Sequence, residues 1–256
     1  MEELLKQIVK NTKPKESLQI ILSSNSTRFD NKFDSPIRLN QDSKYEIALV
    51  NLETWYSFPN IDSTNNVLRY SNDAGTTWHE VRIPEGSYEL KDLNDEIIQQ
   101  MRMKKHYNEL INKPYISIAA NVNTLKTEMT ITDNYKVDFR IPNSFNRILG
   151  FKNKVYHGGV NSSENIVDIL PVNSIFITLD LINGSYVNGV KKNVIYSFFP
   201  EVEPGFKIVE SPRNLVYLPV NKSEISSIEV SMTDQDGKLL NLRGEKLTIR
   251  LHIREV

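Results

Sequence analysis

The chain contains no cysteine. That excludes disulfides, thiolate metal sites and a cysteine nucleophile, and it suits a reducing compartment. Net charge is equally scarce: 31 basic side chains face 32 acidic ones, leaving −1. A surface built for nucleic acid carries a clustered excess of Lys and Arg, so no sequence-specific nucleic-acid partner is expected. Long apolar runs are missing too, and none reaches the ~18 residues of a membrane span. The segment MEELLKQIVKNTKPKE has no apolar h-region, so secretion through a signal peptide is not expected. The Asn-x-Ser/Thr triplets at Asn25, Asn161, Asn183 and Asn221 then carry no expectation of glycosylation.

Catalytic signatures are also missing. There is no G-x-S-x-G elbow, Walker loop or Rossmann fingerprint. Gly158-Gly159 and Gly184-Ser185 lack the strand–loop–helix setting that a phosphate cradle needs. The histidines are His79, His106, His157 and His252. No two stand at the spacing that puts two metal ligands on one element, so neutral surface imidazoles are expected, although a fold can bring distant ones together. Asp234-Gln235-Asp236-Gly237 resembles the start of a calcium loop, and Glu245 falls at its twelfth position. Its flanks read as strands rather than helices, which makes it a turn. Asp and Glu are plentiful, but nothing sets two together for acid–base work. The expectation is no enzyme, with no catalytic, cofactor-binding or metal-binding residues and no cofactor.

What is present is alternation. Leu247, Ile249, Leu251 and Ile253 are separated by Thr248, Arg250, His252 and Arg254, which reads as a strand with one dry and one wet face. Leu18–Ser23 is a short strand. Tyr45–Leu52 is apolar on both faces, as in a central strand, with Trp55, Tyr56 and Phe58 prolonging it to Pro59. Val67–Tyr70 and Trp78–Ile83 flank a hairpin turn at Asp73-Ala74-Gly75. Further strands are expected at 115–119, 126–132, 136–141, 174–182, 193–199, 226–232 and 246–253. One helix stands out, where Leu90, Leu93, Ile97, Ile98 and Met101 repeat at three- and four-residue spacing after Gly86-Ser87. Gly150 closes a helical turn over 145–149. Residues 25–40, 152–164 and 200–221 read as polar or Pro-rich loops.

Roughly ten or eleven strands, one helix and no βαβ alternation define the class. The expected fold is all-β, an antiparallel β-sandwich of jelly-roll type with one inserted helix. Residues 17–256 are expected to form a single domain, and residues 1–16, with Leu4, Leu5, Ile8 and Val9, a tail or arm. Aromatic residues cluster as Trp55, Tyr56 and Phe58, then as Tyr196, Phe198 and Phe199, with Phe206 and Tyr217 in the Pro-rich connection. Core anchoring explains such clusters. So does an interface, whose centre is enriched in Tyr, Trp and Phe. The candidate interface set is Trp55, Tyr56, Phe58, Phe198, Phe199, Phe206 and Tyr217.

Six blocks stand in a familiar order: YEIALVNLETWYSFPNI (45–61), IPEGSYELKDLNDEI (83–97), IPNSFNRILGF (141–151), SYVNGVKKNVIYSFFPEVEPGFKIVE (185–210), NLVYLPVN (214–221) and IEVSMTDQDGKLLNLRGEKLTIRLHI (228–253). Together they resemble the minor capsid (penton) protein of Polinton/Maverick-type elements and adintovirus-like viruses. The resemblance implies a structural virion protein that is assembled inside the host cell. It implies a single jelly roll forming homopentamers at icosahedral vertices, with a double jelly-roll major capsid protein as partner. It brings no catalytic residue. A second reading is a carbohydrate- or receptor-binding sandwich, with its site in loop Asp30–Asp42 or Lys152–Ser163 and Trp78 or Tyr156 as stacking platform. A third, a hydrolase, requires carboxylates or histidines clustered in one cleft.

Overall fold

The computed structural model describes residues 15–170 and 172–256. The proposed N-terminal arm lies, through residue 14, outside them. The described chain is all-β and antiparallel with one helix. Its contacts resolve two compact units, one from residues 15–57 and 172–256 and the other from 58–170, where the sequence reads one domain over 17–256.

The first unit is a jelly roll. Its eight main strands are β1 (Ser17–Ser24), β2 (Arg28–Arg38), β3 (Tyr45–Trp55), β4 (Ile175–Leu179), β5 (Val194–Phe198), β6 (Lys207–Glu210), β7 (Glu224–Thr233) and β8 (Leu247–Glu255). One sheet runs β1-β8-β3-β6 and the other β2-β7-β4-β5. This is the order obtained when a long antiparallel ribbon, β1–β4 on β8–β5, is rolled so that successive pairs fall in alternate sheets. The second unit occupies the β3–β4 connection.

Burial explains each strand. Leu247, Ile249, Leu251 and Ile253 of β8 are fully buried, while Arg250 and Arg254 are exposed. Strand β3 pairs with β8 on one side and with β6 and Leu218–Pro219 on the other. Its apolar residues fall on both faces partly because of a bulge: Leu251 pairs Leu49, Arg250 pairs Asn51, and one residue of β3 is extra between them. The extra residue shifts the inward phase from Ile47 and Leu49 to Leu52 and Thr54.

Three expected loops contain strands. The 25–40 segment holds β2, the edge strand of its sheet. Its alternation is muted because the inward residues, Phe29, Asn31 and Phe33, are only half-buried. The 200–221 segment holds β6, and the 152–164 segment holds Val155–Ser162, an edge strand of the second unit. The chain also makes a hairpin, Ser185–Val187 on Val190–Lys192. It turns at Asn188-Gly189, both with positive φ.

The second unit has a sheet in the order Val155–Ser162, Lys126–Asp138, Val67–Ser71, His79–Arg82, with Ile116–Asn121 paired to the first half of Lys126–Asp138. The two strands expected at 126–132 and 136–141 form one element, interrupted by a bulge. Ile131 pairs Gly159 and Lys136 pairs His157, so 132–135 loop out opposite Gly158 alone. The helix spans Leu90–Met103 and buries Leu93, Ile97 and Met101. It begins at Glu89, whose backbone N–H donates to Asp92 Oδ2 at 3.2 Å, and not at Gly86-Ser87. Lys105, with φ +63°, and the His106 N–H to Met101 carbonyl bond end it. No helix among the described residues is long and apolar enough to cross a membrane.

Candidate interaction surface

The seven proposed interface residues divide by exposure. In the jelly roll, Tyr56 and Phe198 are buried, Tyr217 is half-buried, and Trp55, Phe199 and Phe206 are 42%, 46% and 60% exposed. In the second unit Phe58 is buried. Tyr56, Phe58 and Phe198 therefore serve their own cores, because a side chain already out of water gains little from a partner.

Trp55 ends β3, the exposed Val209 lies in the adjacent β6, and Phe206 immediately precedes β6. Trp55 pairs with Lys207 and Glu53 with Val209 across β3 and β6. The junction is fixed by the backbone, since the Tyr56 N–H donates to the Phe206 carbonyl at 2.9 Å and the Gly205 N–H to the Tyr56 carbonyl at 2.8 Å. Gly205 has φ +90°, the left-handed conformation that lets the chain reverse into β6. Lys207 Nζ donates to Glu53 Oε2 at 2.5 Å, and the same ammonium holds the Glu53 carboxyl below the usual range. The result is an exposed aromatic rim beside a fixed ion pair. Lys207, Glu53 and Val209 escaped the sequence reading because β6 lay inside a Pro-rich loop. The exposed Lys207 and Val209 on either side of buried Ile208 were the available signal.

Tyr217 has a different role. Its hydroxyl lies 2.8 Å from His252 Nδ1, and the Arg254 guanidinium sits over its ring at 3.5 Å. Ser17 Oγ is 2.6 Å from His252 Nε2, and Arg254 also pairs with Glu46 at 3.1 Å. These contacts knit the wet face of β1, β8 and β3. Tyr196 stacks on Phe198, and its hydroxyl donates to Glu210 Oε2 at 3.2 Å. Burial, opposed by that hydrogen bond, raises the Glu210 carboxyl.

The other candidate sites fall elsewhere. On the outer face of β2-β7-β4-β5, an open groove of about 360 Å³ is lined by Arg28, Thr178, Asp180, Asn193, Glu229 and Ser231 among others, with no aromatic side chain. Asp30–Arg38 and Val155–Ser162 are strand, not loop. Tyr156 is buried against Phe151 and Phe139, with its hydroxyl on Glu164, so it cannot serve as a stacking platform. Trp78 is half-buried, with the Arg69 guanidinium 5.1 Å from its ring. The Asp234 turn closes on itself: Asp234 Oδ1 accepts from the Asp236 and Lys238 N–H groups, and Gly237 has φ +85°.

His79 and His106, distant in sequence, meet in the second unit with ring centroids 4.6 Å apart. Tyr70 Oη lies 2.8 Å from His106 Nδ1, and Asn72 contacts both imidazoles at 3.2 Å. Burial first, then the charges of His79 and Lys104, hold the His106 imidazolium below its usual range. Burial pushes the Tyr70 phenol up, which makes it a poor nucleophile. No cluster of three or more His, Asp or Glu suited to a metal occurs among the described residues. The expectation of surface histidines fails for this pair because long-range strand pairing brings them together.

No family model matches the chain, and no curated protein matches it. Among solved structures it is similar to the mavirus penton protein, crystallised in selenomethionine-labelled form. The identity is 13% and the TM-score 0.48, over 94% of this chain and 100% of that one.

Proposed function

We propose that this chain is a structural subunit of a viral shell, a penton-like minor capsid protein that closes into homopentamers at icosahedral vertices beside a double jelly-roll major capsid protein. It is then a virion protein, assembled inside the host cell, without catalysis or cofactor. The observation that carries the reading is the exposed rim of Trp55, Phe206 and Val209 at the β3–β6 junction. It is formed by two of the blocks that resemble pentons, 45–61 and 185–210. A large aromatic left in water on a jelly roll is the feature of an interface core awaiting a neighbour. The working interface set is therefore Trp55, Phe199 and Phe206, extended by Val209.

Light scattering and electron microscopy of the purified chain, alone and with the major capsid protein, test this. Five-copy rings are expected, and Trp55→Asp with Phe206→Asp should abolish them while leaving the fold intact. A chain that never forms rings under either condition refutes the reading. The sugar-binding alternative has the polar groove of Asp180, Asn193 and Glu229 in its favour, but the groove offers no aromatic face for a sugar ring. Selective binding on a glycan array without assembly would favour that alternative.

A further inference from the structure

The most unusual surface of the jelly roll is the outer edge of β2. Among the described residues, β2 pairs with β7 on one side and with nothing on the other. From Arg28 to Asp34 its residues alternate without a break. Phe29, Asn31 and Phe33 are half-buried, and Arg28, Asp30, Lys32 and Asp34 are exposed. Met232 N–H donates to the Thr27 carbonyl, and Arg28 stands opposite Ser231. In an antiparallel ladder hydrogen-bonded pairs alternate with non-bonded ones. Phe29 and Asn31 therefore bond to β7, while Arg28, Asp30 and Lys32 aim their N–H and C=O groups outward. A bare edge of this kind is a template for another strand.

The charges on that edge alternate: plus at Arg28, minus at Asp30, plus at Lys32, minus at Asp34. We propose that β2 pairs antiparallel with β2 of a second copy, across a two-fold axis at Asn31, to join the two four-stranded sheets into one. In that register Arg28 faces Asp34, Asp30 faces Lys32, Phe29 faces Phe33, and Asn31 faces itself. The outward backbone groups of Asp30 and Lys32 on each copy meet as bonded pairs, and every charge meets its opposite. Shifting by one bonded step either way sets Asp30 against Asp30 with Arg28 against Lys32, or Lys32 against Lys32 with Asp30 against Asp34. Like charges directly opposite each other destabilise a strand pair, so the pattern selects its own register.

The isolated chain also carries a mismatch that this pairing relieves. Asp30 stands directly opposite Glu229 on β7, and Glu229 already holds Arg28 at 2.7 Å. Asp30 has no cation from its own sheet in that register, and Lys32 of the second copy supplies one. Beyond Lys32 the ladder to β7 is broken: residues 33–36 bulge opposite Ser226 alone, and Pro36 lacks an N–H. The contact is thus short and isologous. It belongs with the small, transient interfaces rather than with permanent ones.

The test uses the full chain, whose lack of cysteine makes a single introduced thiol diagnostic. Asn31→Cys places two thiols face to face in a non-hydrogen-bonded pair, a separation a disulfide spans. Under mild oxidation it should give a covalent dimer at least about tenfold faster than Asp34→Cys, whose residue meets Arg28 and not itself. In sedimentation velocity the cysteine-free chain should show a concentration-dependent two-copy species. Asp30→Lys should weaken that species by about tenfold or more, and adding Lys32→Asp should restore it. The variants at Asp30, Lys32 and Asp34 should keep the thermal midpoint of the parent, because those side chains are exposed. Equal cross-linking at the two cysteine positions overturns the proposal, as does a two-copy species indifferent to Asp30→Lys or not restored by the double exchange. A chain that is monomeric or solely five-copy at every concentration overturns it too. The shell reading is judged separately by five-copy rings and their response at Trp55 and Phe206.

Discussion

Replacing Gly150 by alanine should be far more costly than the same change at Gly237. Both glycines sit at positive φ, +77° and +85°, where an alanine costs about 1–2 kcal/mol. At Gly237 a new Cβ meets nothing within 4 Å, so that cost is the whole effect. At Gly150 it would fall on the Asn165 carbonyl oxygen and lie 2.7 Å from that of Ile166. Backbone cannot step aside as a side chain can. The 148–151 and 165–168 segments are clamped by the Asn165 N–H to the Gly150 carbonyl at 2.9 Å and by the Asp168 N–H to the Ile148 carbonyl at 2.8 Å. Separating them forfeits both bonds, about 1 kcal/mol each. The expected difference between the variants is about 2 kcal/mol, or about 4–8 °C in thermal midpoint for a chain of this size. Thermal denaturation followed by circular dichroism reads it directly. Equal midpoints would refute the claim that a close backbone approach, rather than the turn conformation alone, demands glycine at 150.

Acid should expose the Glu164 site. Burial raises that carboxyl, but donors from Lys154, Tyr156 and the Lys152 backbone outweigh it and bring it to about 2. A depressed carboxyl contributes stability that is complete above its unfolded value and lost as pH falls through the folded one. Glu164→Gln should therefore be less stable at neutral pH, with the gap closing toward pH ~2; a gap independent of pH contradicts this. His106 is also depressed, so its contribution is complete above about 6.5 and declines as pH falls below that. His106→Gln should flatten the stability profile in that window, and an unchanged profile counts against the half-buried imidazole pair. We further propose that 17–256 melts as one domain despite its two units. A single calorimetric transition with equal calorimetric and van't Hoff enthalpies is expected, and two resolved transitions would overturn it.

Alternation made the fold legible wherever a strand has one face in a core and one in water. Strand β8, the helix, the hairpin at Asp73-Gly75 and the Asp234 turn could all be read from residue spacing. The pattern failed at sheet edges and bulges. In β2 and in Val155–Ser162 the inward face is shallow, so Asn31 stands where an apolar residue would announce a strand, and Gly158-Gly159 interrupts the other. In Lys126–Asp138, Asp133-Asn134 is turn chemistry used to make a bulge, which spacing alone cannot distinguish from a hairpin. The Asn188-Gly189 hairpin was readable and missed, because a short two-stranded turn sat beside a longer apolar strand. The candidate surface was half legible for a related reason. Tyr56 and Phe198 look like Trp55 and Phe206 in sequence, and only their phase relative to the sheet decides which are buried. That phase is set by where β3 bulges and where Gly205 reverses the chain, and both depend on partners far away in sequence. Edge strands add a further difficulty, because their residues must keep the edge soluble as well as pack on the sheet. The alternating charges of Arg28–Asp34 satisfy both demands: they repel most strands in most registers and leave one self-complementary arrangement open.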